Sequence, residues 1–149
     1  MPRIYPQVVE VLEAKMKHKK TPRRKLVEKL DKLWSQEVRK KMPRCIVCGA
    51  TTNLNSHHAI VRKAQSLGVR WLVDNGVTLC FRDHILKLHG QQSDKEWLDR
   101  YIAILNEIIP IEKQRNIIEI GHQIAKFSQS DLEELVKEFE ERLGIKNNT

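Results

Sequence analysis

The chain has 149 residues, 40% hydrophobic and 31% charged, which suits one domain or a small core with helical extensions. No apolar run approaches the roughly 18 residues needed to span a bilayer. The opening MPRIYPQVVEVLEAK lacks the apolar stretch and small-residue cleavage site of a signal peptide. A membrane role is thus excluded from the expectation. In the reducing cytoplasm expected instead, the three cysteines read better as metal ligands than as disulfides.

The net charge of +8 is unevenly spread. Residues 1–44 hold 14 Lys/Arg against 5 Asp/Glu, residues 45–92 hold 5 against 2, and residues 93–149 hold 8 against 12. A polyanion would land on the basic half, where phosphate contacts give affinity without sequence preference. Such runs also serve as plain solvated helix faces.

Taken in chain order, Thr21-Pro22 is an N-cap with proline at the first helical position, and predicts a helix over Pro22–Lys41. Leu26, Leu30, Leu33, Trp34 and Val38 form its apolar stripe, with Lys25, Lys29, Lys32, Arg39 and Lys40 mostly off it. From Pro43 to about Gly90 the chain shows punctuation rather than helical period. Asp74-Asn75-Gly76 is a turn signal before the strand-like Val77-Thr78-Leu79, and two short strands around a loop, then a helix near HILKLH, are expected. The last third is helical. Ser93 with Glu96 and Ser130 with Glu133 read as capping boxes, Pro110 interrupts the pattern between them, and Gly144 ends the final helix. That helix carries an acidic outer face, suited to a structural role, partner docking or dimerisation.

Chemistry concentrates in the middle. Cys45-x2-Cys48 followed by Gly49 is a zinc knuckle, because two thiolates at this spacing grip one ion from a single turn. Cys80 is a third thiolate. For the fourth ligand the choice lies between His84 and Asp83, and His84 is preferred because thiolate and imidazole suit zinc better than one carboxylate does. The adjacent pair His57-His58 sits at the end of a strand, where neighbouring side chains point in different directions. One imidazole can then bind metal while the other takes a proton near neutral pH. Two surface histidines in a loop would look the same in isolation; the preceding zinc knuckle, Asn75 and His89 are the companions that weigh against it.

The ordered set CIVCG…LNSHHAIVRK…DNGVTLC…H…H, over about residues 44–90, resembles the HNH or ββα-metal endonucleases with a structural zinc. That resemblance implies an α+β, mostly helical chain: a basic helical extension (1–43), a small zinc-clipped ββα-metal core (44–92) and a helical C-terminal region (93–149), making one unit. It implies His57 and His89 as ligands of a catalytic Mg²⁺ or Mn²⁺, His58 as general base, Asn75 as organiser of the loop that orients His58, and Cys45, Cys48, Cys80 and His84 around a structural Zn²⁺. Arg62, Lys63 and Arg70, near the pair in sequence, are candidate phosphate clamps on DNA, or simply solvated charges. The flanks LDKLWSQEVRKK and SDLEELVKEFEERL resemble the phage recombination nucleases called NinG or Rap, which implies branched DNA such as a four-way junction as substrate, and a homodimer if both strands are cut. Competing expectations are a non-catalytic zinc-knuckle nucleic-acid-binding protein, or an HNH nuclease of restriction or packaging.

The family usually reads C-x2-C-H-x3-H at the strand-to-helix turn, whereas this chain reads Cys80-Phe-Arg-Asp83-His84-Ile85-Leu-Lys-Leu-His89. An extra residue in the turn would put His84 on zinc and Ile85 where the family has a histidine. An extra residue inside the helix would put Asp83 on zinc and make His84 catalytic. On a regular α-helix, positions five apart diverge by about 140°, so His84 and His89 would not share an ion, and the first alignment is favoured.

Overall fold

The computed structural model describes residues 19–92 and 94–146. The chain is α+β, with helices α1 (Pro22–Lys41), α2 (Lys95–Ile108), α3 (Ile111–His122) and α4 (Gln129–Leu143). Between α1 and α2 lie strands β1 (Leu54–His58) and β2 (Gly76–Cys80), a 3-10 turn over Val73–Asn75 and a π-helix over Arg82–Leu88. No helix among the described residues is long and apolar enough to cross a membrane.

Helix α1 begins where expected, with the Thr21 hydroxyl accepting from the Arg24 amide at 3.2 Å. Its stripe buries Leu30, Leu33, Trp34 and Val38 against Leu132, Val136 and Phe139 of α4 and against Trp71. Burying side chains of this size stabilises by about 1.5–3 kcal/mol each. A second cluster gathers Cys45, Val47, Val69, Val77, Leu79 and Cys80 with Trp97, Tyr101 and Leu105 of α2 and Ile117 of α3.

The helix starts in the C-terminal third differ in detail from the expected ones. Ser93 lies outside the described residues, and the observed cap of α2 is Asp94, which accepts from the Trp97 amide at 2.7 Å. The capping box of α4 is Ser128 with Asp131, two residues ahead of the expected Ser130 with Glu133. Both readings fit the same S-x-x-acid rule; starting earlier places Leu132 at the first turn, where it is fully buried. Gly144 ends α4 at φ +70°, as expected. Pro110 caps a separate helix, α3, which periodicity alone does not single out.

β1 and β2 pair antiparallel, with Leu54 opposite Cys80, Ser56 opposite Thr78, His57 opposite Val77 and His58 opposite Gly76. The two histidines therefore fall on opposite faces of the ribbon. On the His58 face α1 comes so close that a Cβ on Gly76 would sit 2.4 Å from Val38 Cγ2 and 2.9 Å from Trp34 Cζ2. The missing side chain opposite His58 is the space that Trp34 fills.

Gly76→Ala should therefore cost roughly 1–3 kcal/mol through overpacking. Urea unfolding monitored by circular dichroism measures it, and an unchanged midpoint would contradict the close approach of α1.

Candidate metal centres and the divided histidine pair

The knuckle is a tight turn closed by the Gly49 amide on the Cys45 carbonyl at 2.9 Å, with Gly49 at φ +76°, a backbone region glycine enters without steric cost. The Ile46 amide donates to the Thr78 carbonyl at 3.0 Å, fastening the knuckle to the outer edge of β2. Cys45 and Cys48 thereby meet Cys80 at the end of β2.

The fourth group there is Asp83, and this corrects the expectation that His84 completes the set. Asp83 Oδ2 lies 3.2 Å from Cys45 Sγ and 3.4 Å from Cys80 Sγ, and Cys48 Sγ is 3.6 Å from Cys80 Sγ. Tetrahedral zinc with thiolate and carboxylate ligands has ligand–ligand edges of roughly 3.6–3.8 Å, so the cluster needs little movement to enclose one ion. These four residues could hold a metal ion, and their chemistry is compatible with structural zinc. Asp83 is 1% exposed. Its other oxygen, Oδ1, accepts from the Trp97 indole N–H at 3.1 Å, an outer contact that aims Oδ2 at the sulfurs. Burial pushes the Asp83 pKa up, but hydrogen bonds from the three thiols and Trp97 outweigh it and hold the carboxyl below its ordinary value. The same burial raises all three thiol pKa values, so the cluster without an ion favours thiols over thiolates.

His84 instead joins His57 and His89. The three rings stand edge-on around a common point, with centroids 5.1, 5.1 and 4.9 Å apart. The π-helix makes this possible. The His89 amide donates to the His84 carbonyl at 3.1 Å, an i→i+5 bond. A turn that closes on the fifth residue stacks positions five apart, whereas a regular α-helix would have separated them. The expectation that His84 and His89 diverge fails for that reason.

Burial, then the neighbouring His84 and His89, lowers the His57 pKa to about 3. Burial, then His89, lowers that of His84. The buried His84 Nδ1 has no hydrogen-bond partner among the described residues. With an orphaned buried nitrogen on His84 and imidazole nitrogens converging from all three rings, this group could hold a metal ion.

His58 is built differently. Its Nε2 lies 2.8 Å from the Arg70 carbonyl, which can only accept, so Nε2 carries the proton and Nδ1 the lone pair. Its ring stacks on Trp34 at 3.9 Å and 13°, and the Trp34 indole N–H donates to the Leu72 carbonyl at 3.0 Å. Asp31, one turn before Trp34 on α1, takes both forks of the Arg70 guanidinium at 2.9 and 2.8 Å, the Trp71 indole N–H at 2.9 Å and Lys63 Nζ at 2.8 Å. Burial opposes its ionisation, yet these donors hold its pKa near 2. Thus α1 grips both the ring of His58 and the segment whose carbonyl orients it.

Asn75 is fully buried, and both ends of its carboxamide are hydrogen-bonded. Oδ1 accepts from the Ile60 and Val61 amides at 2.9 and 3.1 Å, and Nδ2 donates to the Val61 carbonyl at 2.8 Å. It pins the loop that leaves His57-His58.

The three expected phosphate clamps separate. Lys63 and Arg70 are committed to Asp31, so a phosphate would have to compete with an internal carboxylate for them. Arg62 has no acidic partner among the described residues and lines, with Lys63, Ser56, His57, His58, His84 and His89, a cleft of about 310 Å³. Sequence reasoning missed Asp31, Trp34, Trp97 and Tyr101. Tyr101 stacks on Trp97 at 5.4 Å and lines the neighbouring hollow beside His89, linking the two clusters through α2. An aspartate three residues before a tryptophan on a mostly basic helix was the available signal for the first two.

Two outcomes follow. Asp31→Asn should lose about 1–2 kcal/mol of stability at neutral pH. The folded-state pKa of Asp31 is depressed, so its contribution is present above the unfolded value near 4, and the deficit should close as pH falls from about 4 to 2; denaturation at several pH values measures this, and a pH-independent deficit would contradict it. Asp83→Ala should weaken the thiolate-to-cobalt charge-transfer absorption of the cobalt-loaded protein while His84→Ala leaves that band intact, because only Asp83 stands among the thiols; the reverse pattern would return His84 to the thiols. Comparison with protein-family profiles, with characterised proteins and with solved structures finds no match to this chain, so these two clusters stand on their own geometry.

Proposed function

We propose that this chain is a metal-dependent DNA endonuclease of the HNH or ββα-metal kind, with β1, β2 and the π-helix as its catalytic core and the Cys45-Cys48-Cys80-Asp83 cluster as its structural zinc site. The observation that carries the reading is the division of an adjacent pair. His57 faces two further imidazoles, while His58 faces away from them, held by Trp34 and the Arg70 carbonyl.

An ion held by His57, His84 and His89 would supply Lewis-acid stabilisation of the scissile phosphate and the departing 3′-oxygen. His58 takes the proton of the attacking water at Nδ1, because Nε2–H is occupied by the Arg70 carbonyl. As the water oxygen bonds to phosphorus, the bond to the 3′-oxygen breaks. Burial, with the charges of Lys63 and Arg70, holds the His58 pKa below its ordinary value, while the Arg70 carbonyl and Asp31 act the other way and favour the charged ring that results. Arg62 offers positive charge to a phosphate oxygen in the same cleft. Asn75 keeps the loop after His58 from drifting, which preserves the attack geometry.

Three imidazoles without a carboxylate alter the metal expectation. Magnesium prefers oxygen ligands, whereas imidazole suits zinc, nickel and similar ions. We place such ions ahead of Mg²⁺ at this site. The π-helix also accommodates the departure from the family pattern: with one helical residue removed, the turn would read Cys-x2-Asp-His-x3-His, with Asp83 in place of the second thiolate. Branched DNA, a phage recombination setting and a homodimer remain proposals that rest on the resemblance of the flanking helices. A non-catalytic zinc-knuckle binding protein would account for the cysteines but leaves the three-histidine set and the oriented His58 without use.

His58→Ala should abolish metal-dependent nicking of supercoiled plasmid, a loss of at least a hundredfold on the scale of general-base removal, while retaining the wild-type circular dichroism spectrum and DNA affinity. Undiminished nicking by the purified variant would remove His58 as the base.

A further inference from the structure

Phe81, at the junction of β2 and the π-helix, is 50% exposed, whereas Trp34, Trp71, Trp97, Tyr101 and Phe139 are all buried. A single exposed apolar side chain needs no explanation. Phe81, however, lines a cleft of about 470 Å³ together with Asn53, Leu54 and Asn55. Its amide donates to the Asn53 carbonyl at 2.8 Å, which holds the ring beside the start of β1. Asn53 itself adopts φ +53°, a left-handed turn that asparagine tolerates better than most residues. The carboxamides of Asn53 and Asn55 have no hydrogen-bond partner among the described residues.

The position of this cleft matters as much as its lining. Asn55 lies two residues before His57 on the same face of β1, about 6.6 Å away along the strand. The cleft therefore continues the face on which His57 meets His84 and His89. Exposed Arg82 follows Phe81 and adds positive charge at the same corner. An aromatic face, two open carboxamides and a nearby cation are the parts that recognise an unstacked base: every base has a π-face to stack, and an asparagine amide can donate to and accept from a base edge.

We propose that the Asn53–Asn55–Phe81 cleft binds one unpaired nucleobase of the DNA strand whose phosphate lies at the three-histidine site. The base stacks on the Phe81 ring, and Asn53 and Asn55 hydrogen-bond its edge. This proposal rests on the nuclease reading and deepens it, because it makes an unpaired nucleotide beside the scissile phosphate the selected feature. Fully stacked duplex cannot fill the cleft; a flap, a branch point or a frayed end can.

Fluorescence anisotropy with the full chain carrying His58→Ala measures binding without incision. Three labelled hairpins serve as probes: a blunt stem, the stem with a short single-stranded arm, and the stem with an arm of the same length made of abasic nucleotides. The base-bearing arm should bind about tenfold more tightly than the abasic arm, a typical effect of one stacked base. Phe81→Ala should erase that difference and leave blunt-stem affinity unchanged, and Phe81→Tyr should retain it. Equal affinity for the base-bearing and abasic arms, or a Phe81→Ala loss that is the same for all three hairpins, would overturn the base site. Plasmid nicking by the wild-type chain is scored separately. Loss of the base preference with nicking intact removes only this inference. A retained base preference without nicking supports the base site and removes the nuclease reading.

Discussion

Everything at the centre of this molecule follows from how one helix closes. After Cys80 the backbone turns with i→i+5 rather than i→i+4 hydrogen bonding, and the His89 amide reaches the His84 carbonyl. Consecutive residues Asp83 and His84 then point to different clusters, one toward three thiols and the other toward two imidazoles. Had this segment been a regular α-helix, His84 and His89 would lie on different faces and the three-histidine set would not form. A π-turn is rarer than an α-turn, and such turns gather at functional sites. Here its ends are secured by groups that favour it: Asp83 by the thiols and the Trp97 indole, His84 and His89 by packing against His57.

Helix α1 performs the second task. It buries one stripe against α4 and presses another part of that stripe onto the ribbon at Gly76. That contact places Trp34 flat against His58, while Asp31 collects Arg70, Lys63 and Trp71 from the loop before β2. The same side chains thus stabilise the fold and orient an imidazole. Positive residues near the pair that looked like phosphate clamps are in part the cations of this internal network: Lys63 lines the cleft but is paired with Asp31, whereas Arg62 lines it without an acidic partner among the described residues.

Much of this was legible in the residues alone. Cap, length and buried stripe of α1 follow from Thr21-Pro22 and the spacing of Leu30, Leu33, Trp34 and Val38. The turn before β2 follows from Asp74-Asn75-Gly76, and the meeting of Cys45, Cys48 and Cys80 from the metal-ligand chemistry of three thiols, while the loop-holding role of Asn75 was implied by the family resemblance. Other features were not legible, for definable reasons. Capping boxes at Ser128 and Ser130 obey the same rule and differ only in how Leu132 packs. The choice between Asp83 and His84 turned on ligand softness and on ideal α-helical angles. Neither consideration anticipates a helix that absorbs an extra residue, nor a buried indole that fixes a carboxylate. Trp34 against His58 required the register that sets His58 opposite Gly76, a long-range fact that no local pattern encodes.

The account rests on the separation of the two clusters, and zinc X-ray absorption spectroscopy tests it most directly. With one equivalent of zinc bound, the fine structure should show three sulfurs at about 2.3 Å and one oxygen, without the multiple-scattering signature of an imidazole. A shell of three sulfurs and one histidine nitrogen would return His84 to the zinc, and would contradict the division made by the π-helix.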